Sequence, residues 1–329
     1  MRALYAAVLA GALAVPGGAP AHARPVHIGM STALVESNPV AVWAYALQDE
    51  LGGHGIRTRV FPGSTLGSEL ERDEQVILGL LPINISGGQD VTQYSPLLRS
   101  FRMPFLFRET GEVDCLMHRT GFLDLVNAAT RPRGIEVVDV VTVGGMASLF
   151  TSGGPIDSLK TLRKQRIRAM DRYQVSTIES WGASSVQIAW EEVTTALQTS
   201  VVDGYLNPPS VPLAFRHTRH LRHMLTLDLF TGIRFVTLSA KWSDGLDDAA
   251  RAALEAALVN ARRANRAFAA ARRREDLDGL RAMGVTISEP DVEFLAELAA
   301  SVSWMYEGLL GSDTMNTVTD LLENECRAY

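Results

Sequence analysis

The residues best suited to chemistry lie in one segment, and the chemistry they suggest is anion capture. In LKTLRKQRIRAM, residues 159–170, a basic turn leads into a short strand whose alternation puts Arg166, Arg168 and Met170 on one face and Ile167 and Ala169 on the other. Arg168 then falls toward the strand's carboxyl end, where open α/β sheets place their ligands. A guanidinium there can grip a carboxylate with two parallel hydrogen bonds, which a lysine does less specifically. Downstream, residues 191–198 read as a helix with Val193, Ala196 and Leu197 inward, followed by a turn and a short strand that ends at Asn207. Pro208 and Pro209 stop that strand, so Asn207 faces the same crevice as Arg168 with a donor and an acceptor. Only Lys160, Lys164 and Lys241 are lysines among the 31 basic residues. Arginine is therefore the ordinary cation of this chain, and spacing alone favours reading Arg168 as a surface or salt-bridged residue.

Covalent catalysis finds little support. The chain has no G-x-S-x-G elbow, no H-E-x-x-H and no G-x-x-x-x-G-K-[ST] loop, and Gly87-Gly88 is too sparse to cradle a phosphate. His217, His220 and His223 are spaced so that they fan out around a helix and converge poorly on one ion, which reads as a solvated basic face. Neither a metal nor a cofactor is expected. Cys115 and Cys326 are either a bridge or two thiols, structural in both cases. Trp190 could stack on a ligand ring or serve as a core residue.

These residues must be positioned by a larger frame. Residues 1–23 carry Arg2, the apolar run LYAAVLAGALAV, a Pro16-Gly17-Gly18 break and Ala21-His22-Ala23, the pattern of a cleavable secretory signal. No later stretch approaches the roughly 20 apolar residues of a spanning helix. The expected product is an exported, soluble protein. The net charge of -6 argues against nucleic-acid binding, which wants a basic face. With 47% apolar residues a sizeable core can form, and the length exceeds what one core usually organises, so two lobes are expected.

From Val26 onward, β-rich runs alternate with helical ones: VHIGMS, IRTRVF, INIS, EVVDVV, QRIRAM and FVTLS read as strands, residues 40–51 as a helix. That order is the signature of an α/β fold built on parallel sheet. Residues 247–283 carry Leu254, Leu258, Ala261, Asn265 and Phe268 at helical spacing, with Asp247 and Asp248 suited to the first turn. Unbroken, such a helix would reach about 55 Å, longer than one lobe, and would span both. The alternative is a break near residues 272–276. A spanning helix implies discontinuous domains: 24–147 plus 236–275 as lobe I, and 148–235 plus 276–329 as lobe II.

The run from Arg166-Ile167-Arg168, through Gly182-Ala183 and Trp190-Glu191-Glu192-Val193, to ALQTSVVDGYLNP at 196–208 resembles the solute-binding proteins of TRAP transporters, the tripartite ATP-independent periplasmic systems, of the dicarboxylate-binding type. The resemblance extends to FPGSTLGSELE at 61–71 and FRMPFLFR at 101–108, and so covers essentially all of the mature chain. It implies a two-lobed periplasmic binding protein fold with a long lobe-spanning helix, hinge closure around a small carboxylate, no enzymatic activity, and delivery by a monomer to integral membrane TRAP subunits. It carries the carboxylate-binding role to Arg168, a ligand contact to Asn207 and a pocket-lining place to Trp190. Ser31, at the end of the first strand, and Glu69, in the loop after the second, follow by family position. Gln89 and Arg234 come next, Arg234 being equally placed for a hinge ion pair. Two departures stand out: a second pocket arginine expected near residues 145–149 is missing from GGMASLF, and no carboxylate stands beside Gly87-Gly88 in the chain. They speak against an acid sugar and for a smaller or more aromatic acid. The competing readings are a binding protein serving a sensor kinase and an exported enzyme acting on an organic acid.

Overall fold

A computed structural model describes residues 25–30, 38–88 and 91–327. The expected signal segment, Ser31 and Gln89 lie outside the described residues. Eleven strands form among the described residues: β1 (Val26–Met30), β2 (Thr58–Phe61), β3 (Ile83–Ser86), β4 (Ile135–Met146), β5 (Ser148–Thr151), β6 (Arg166–Ala169), β7 (Ser184–Gln187), β8 (Gly204–Asn207), β9 (His223–Leu225), β10 (Thr231–Ser239) and β11 (Thr286–Ser288). They build two sheets, ordered β2-β1-β3-β10-β4 and β11-β9-β5-β8-β6-β7. The sheets are mixed where parallel sheet was expected. β10 runs antiparallel to both β3 and β4, and β5 runs antiparallel to β8 and β9. The cause is that β4 and β10 are the strands by which the chain leaves and re-enters the first sheet, so they run opposite ways.

At that crossing the backbone of Ala147 bonds Phe230 and Leu229 in both directions, at 2.8 and 3.0 Å, stitching the outgoing and returning strands together. Gly144 sits here with φ +133°, and a Cβ on it would lie 2.1 Å from Ser210 Oγ, so the bend requires the missing side chain.

The helix Asp248–Ala282 is unbroken. Asp247 caps it by accepting from Ala250 N at 2.8 Å, and 35 residues give it a length of about 52 Å. Its first half packs Ala250, Leu254, Ala257, Leu258 and Ala261 into one core with Ile28, Trp43 and Leu47, whereas Leu280 near its end belongs to a second core with Tyr205, Val211 and Met224. One helix thus anchors in both lobes. Between these contacts Asn265 is fully buried, its amide meeting Thr142 N, Thr142 O and Pro39 O at 2.8–3.1 Å. Every polar atom of that side chain is matched at the point where the helix passes the crossing strand.

Cys115 and Cys326 are bonded to each other. The bridge fastens the carboxyl-terminal segment to the helix Thr110–Arg119, and Arg327 reinforces it with two contacts to Glu112 at 2.7 and 2.9 Å.

Candidate functional site

Parallel pairing of β6 with β8 sets Arg168 opposite Tyr205, two residues before Asn207. Both side chains therefore approach the carboxyl ends of neighbouring strands, as the sequence pattern predicts. The two arginines of β6 have opposite fates. Arg166, at the strand's exposed start, makes a two-pronged pair with Asp203 at 2.7 and 3.0 Å. Arg168 is 3% exposed, donates from Nε to the Ile188 carbonyl at 2.9 Å, and makes no ion pair with any described residue. Its guanidinium carbon lies 5.8 Å from the Trp190 ring centroid, within cation–π range. Burial pushes its pKa down to about 10, the nearby Arg234 charge adds to that, and Asp171 and Glu69 oppose it. It remains protonated at neutral pH, charged and short of partners.

The facing wall comes from the first sheet and its helices. Ser68 and Glu71 form a reciprocal capping box that starts the helix Glu69–Leu78, which holds Glu69 at its first position. Glu69 Oε2 accepts from Gly87 N at 3.0 Å. Arg102, closing the short helix Pro96–Arg102, donates to the Gly87 carbonyl and pairs with Asp171 at 3.5 Å. Gly88 has φ +77°, and a Cβ there would meet the Phe235 ring at 2.2 Å, so this turn can come so close to β10 only as glycine. Arg234, on β10 opposite Val141, has a buried Nε with no protein partner. Asn207 Nδ2 is likewise buried and unpartnered.

These groups enclose a cavity of about 210 Å³ between the two sheets. Its apolar side is made by Trp190, Phe215, Phe230, Val211 and Leu206, with Trp190 edge-on to Phe215 at 4.8 Å. Behind them His217 is 1% exposed, bonded to Tyr205 Oη at 3.1 Å and Thr194 Oγ1 at 3.0 Å. Burial, helped by the charge of His220, brings its pKa down to about 4 and leaves the ring neutral. A small chamber with an apolar side and buried, unmatched donors is built to hold a small polar molecule. No group of three or more metal-ligating side chains occurs among the described residues.

Residues 31–309 match the family described as bacterial extracellular solute-binding protein, family 7. The chain belongs to this family. A 2,3-diketo-L-gulonate-binding periplasmic protein of Escherichia coli is 25% identical over 288 residues, 86% of each chain. Among solved structures, a TRAP periplasmic solute-binding protein from Sulfitobacter sp. NAS-14.1, with bound β-D-galacturonate, superposes with a TM-score of 0.82 at 22% identity over 92% of this chain and all of that one. A TRAP periplasmic solute-binding protein from Polaromonas sp. JS666, bound to D-erythronate, does so with a TM-score of 0.80 at 22% identity, over 89% and 97% of the two chains. The two-lobed α/β architecture is thus the fold of TRAP solute-binding proteins.

Of the residues that the family resemblance singled out, Arg168, Asn207, Trp190, Glu69 and Arg234 all lie on the cavity wall. Glu69 is in a helix rather than a loop, and Arg234 makes no hinge ion pair with a described residue. The two departures read from the chain are bridged in space. Glu69 brings a carboxylate to Gly87 from 18 residues away, and Arg102 and Arg234 bring guanidiniums that residues 145–149 lack. The histidine trio also needs correction, since His217 is buried and neutral instead of lying on a solvated face. Arg102, Gln174 and Phe215 line the cavity without having been singled out. Arg102 stands inside FRMPFLFR, a run already noted as family-like, which was the available signal.

Proposed function

We propose that this chain is the periplasmic solute-binding component of a TRAP transporter, capturing a small organic acid by its carboxylate and delivering it to integral membrane subunits. The observation that carries this reading is the Arg168 guanidinium, buried at the cavity wall without an ion-pair partner. An uncompensated buried charge is costly, and an incoming carboxylate removes that cost while making a bidentate contact in a water-poor site. Asn207 Nδ2 and Arg234 Nε, buried and unmatched, supply further donors. Several relatives whose names specify a ligand point the same way: diketogulonate, galacturonate, erythronate and, for a protein of Sulfurospirillum deleyianum, succinate are carboxylates, whereas a neighbour from Fusobacterium carries sn-glycerol-3-phosphate, another small anion.

In this reading residues 1–23 direct export, and the mature chain acts as a monomer without turnover. The lobes are 24–147 plus 236–275 and 148–235 plus 276–329, with two adjustments argued from packing. Residues 231–235 pair with β4 and go with lobe I, and the segment after residue 312 is tied to lobe I by the disulfide. The acid binds to Arg168, the lobes close by hinge motion, and exclusion of water strengthens the charge pair.

The test is a thermal-shift screen of the mature protein across organic acids, followed by calorimetry on the best ligand. A true ligand raises the melting temperature by mass action. Arg168→Ala is expected to weaken its binding at least about 100-fold, the scale of losing a desolvated charge pair. Unchanged affinity in the variant would end the assignment.

A further inference from the structure

We propose that Glu69 sets the charge of the ligand, making the site selective for monocarboxylates with an apolar or CH-rich body and excluding dicarboxylates. This rests on the carboxylate reading above and adds to it which acids are admitted.

Three guanidiniums stand around the cavity, those of Arg102, Arg168 and Arg234. Arg102 is already matched by Asp171 at 3.5 Å and by the Gly87 carbonyl. Arg234 forms no ion pair with a described residue, but Glu69 stands across Gly87 from it. A Cβ built on Gly87 would lie 2.8 Å from Glu69 Oε2 and 3.3 Å from Arg234 Nη1, so carboxylate and guanidinium flank the same backbone atom. Among the described side chains at the cavity, three guanidiniums stand against the two carboxylates of Asp171 and Glu69, a balance of one positive charge. A single carboxylate neutralises it. A second carboxylate would turn the charge balance of the enclosed site negative, with Glu69 already in its lining, and juxtaposed like charges in a desolvated site disfavour binding. Glu191, exposed in the cavity lining, adds a further negative charge.

The remaining wall explains what the rest of the ligand looks like. Trp190, Phe215, Phe230, Val211 and Leu206 present rings and aliphatic groups where a diacid would need donors. Such surfaces suit a branched hydroxy or keto acid, or the CH-rich face of a sugar acid. Exclusion of the diacid works through a repulsive element as well as through missing contacts.

The experiment compares matched acids by calorimetry on the mature protein. The monocarboxylate set is 2-hydroxyisocaproate, 2-ketoisocaproate, erythronate, galacturonate and glucuronate; the dicarboxylate set is succinate, malate and adipate. The variant is Glu69→Gln, which keeps an acceptor for the Gly87 N–H and deletes the charge. The tightest wild-type ligand is expected to be a monocarboxylate, preferred over every diacid by about tenfold or more, and Glu69→Gln is expected to gain about tenfold for a diacid. A diacid that binds wild type as tightly as the best monoacid overturns the inference and leaves the carboxylate reading standing, even where the variant does not fold. Should Glu69→Gln fold and show no gain for any diacid, the role of Glu69 is overturned. Absence of binding by every acid in both sets overturns both readings together.

Discussion

Two buried charged regions of this molecule are finished to different degrees. Beneath the long helix, Asp139 is fully buried and its carboxylate receives His118 Nε2 at 3.0 Å, Arg262 Nη1 at 3.3 Å, Trp43 Nε1 at 3.4 Å and its neighbour's backbone N–H at 2.8 Å. A turn further along, Arg266 grips Asp114 at 2.7 and 3.0 Å and the Val140 carbonyl at 2.9 Å. Around the cavity, by contrast, Arg168 is nearly as deeply buried with one backbone acceptor, and Asn207 and Arg234 each carry an unmatched buried nitrogen. The first region spends its polar groups on holding the helix to the sheet. The second leaves donors open, which in our proposal is the room reserved for an anion.

The contrast can be broken or sharpened by measurement. The largest expected effect belongs to the finished region. Asp139→Ala leaves Arg262 and Trp43 Nε1 without their acceptor and is expected to cost about 3–5 kcal/mol in urea unfolding, with ligand affinity in the surviving folded protein unchanged. A loss of affinity at full stability would reverse the roles assigned to the two regions.

His217 provides a pH readout from behind the cavity wall. Its folded pKa of about 4 lies below its ordinary value of 6.5, so the folded state binds fewer protons than the unfolded chain between those values. Its contribution is complete above pH 6.5 and is lost as pH falls toward 4, a change on the order of 3 kcal/mol. Unfolding midpoints measured from pH 7 to pH 4 should therefore fall less steeply in His217→Gln than in wild type. Parallel slopes would mean that other groups dominate.

Arg168→Ala is expected to sacrifice affinity by at least about 100-fold, equivalent to about 2.7 kcal/mol, while leaving the melting temperature of the ligand-free protein the same or higher. A large drop in ligand-free stability would place Arg168 with the structural charges instead. The smallest effect is expected from Asn207→Leu. Removing an unmatched amide costs little in the empty protein and about tenfold in affinity, the scale of one hydrogen bond. Equal affinity in calorimetry would take Asn207 off the ligand.

Much of the frame was legible because local chemistry governs it. INIS forms β3 over the residues expected, since β-branched side chains covered on both faces leave little choice of conformation. β8 ends at Asn207 because Pro208 cannot donate to a ladder. The helix Asp248–Ala282 follows from its cap, its apolar spacing and the lack of an early glycine. Strand direction alone put Arg168 and Asn207 at one mouth. Parallel sheet was wrongly expected, because pairing partners depend on where the chain re-enters a sheet, and no local pattern records that.

The amino-acid order by itself determined the strands and the long helix, which depend on neighbours within a few residues; the burial of Arg168 did not follow from spacing, since Arg166 on the same strand is exposed. Whether Cys115 reaches Cys326, whether Glu69 reaches Gly87, and whether Arg102 meets Asp171 across the cavity were decided by tertiary structure. Groups 18, 69 and 211 residues apart in the chain have no local signal for one another, because their meeting depends on distance in space, and only the packing of the tertiary structure sets that distance.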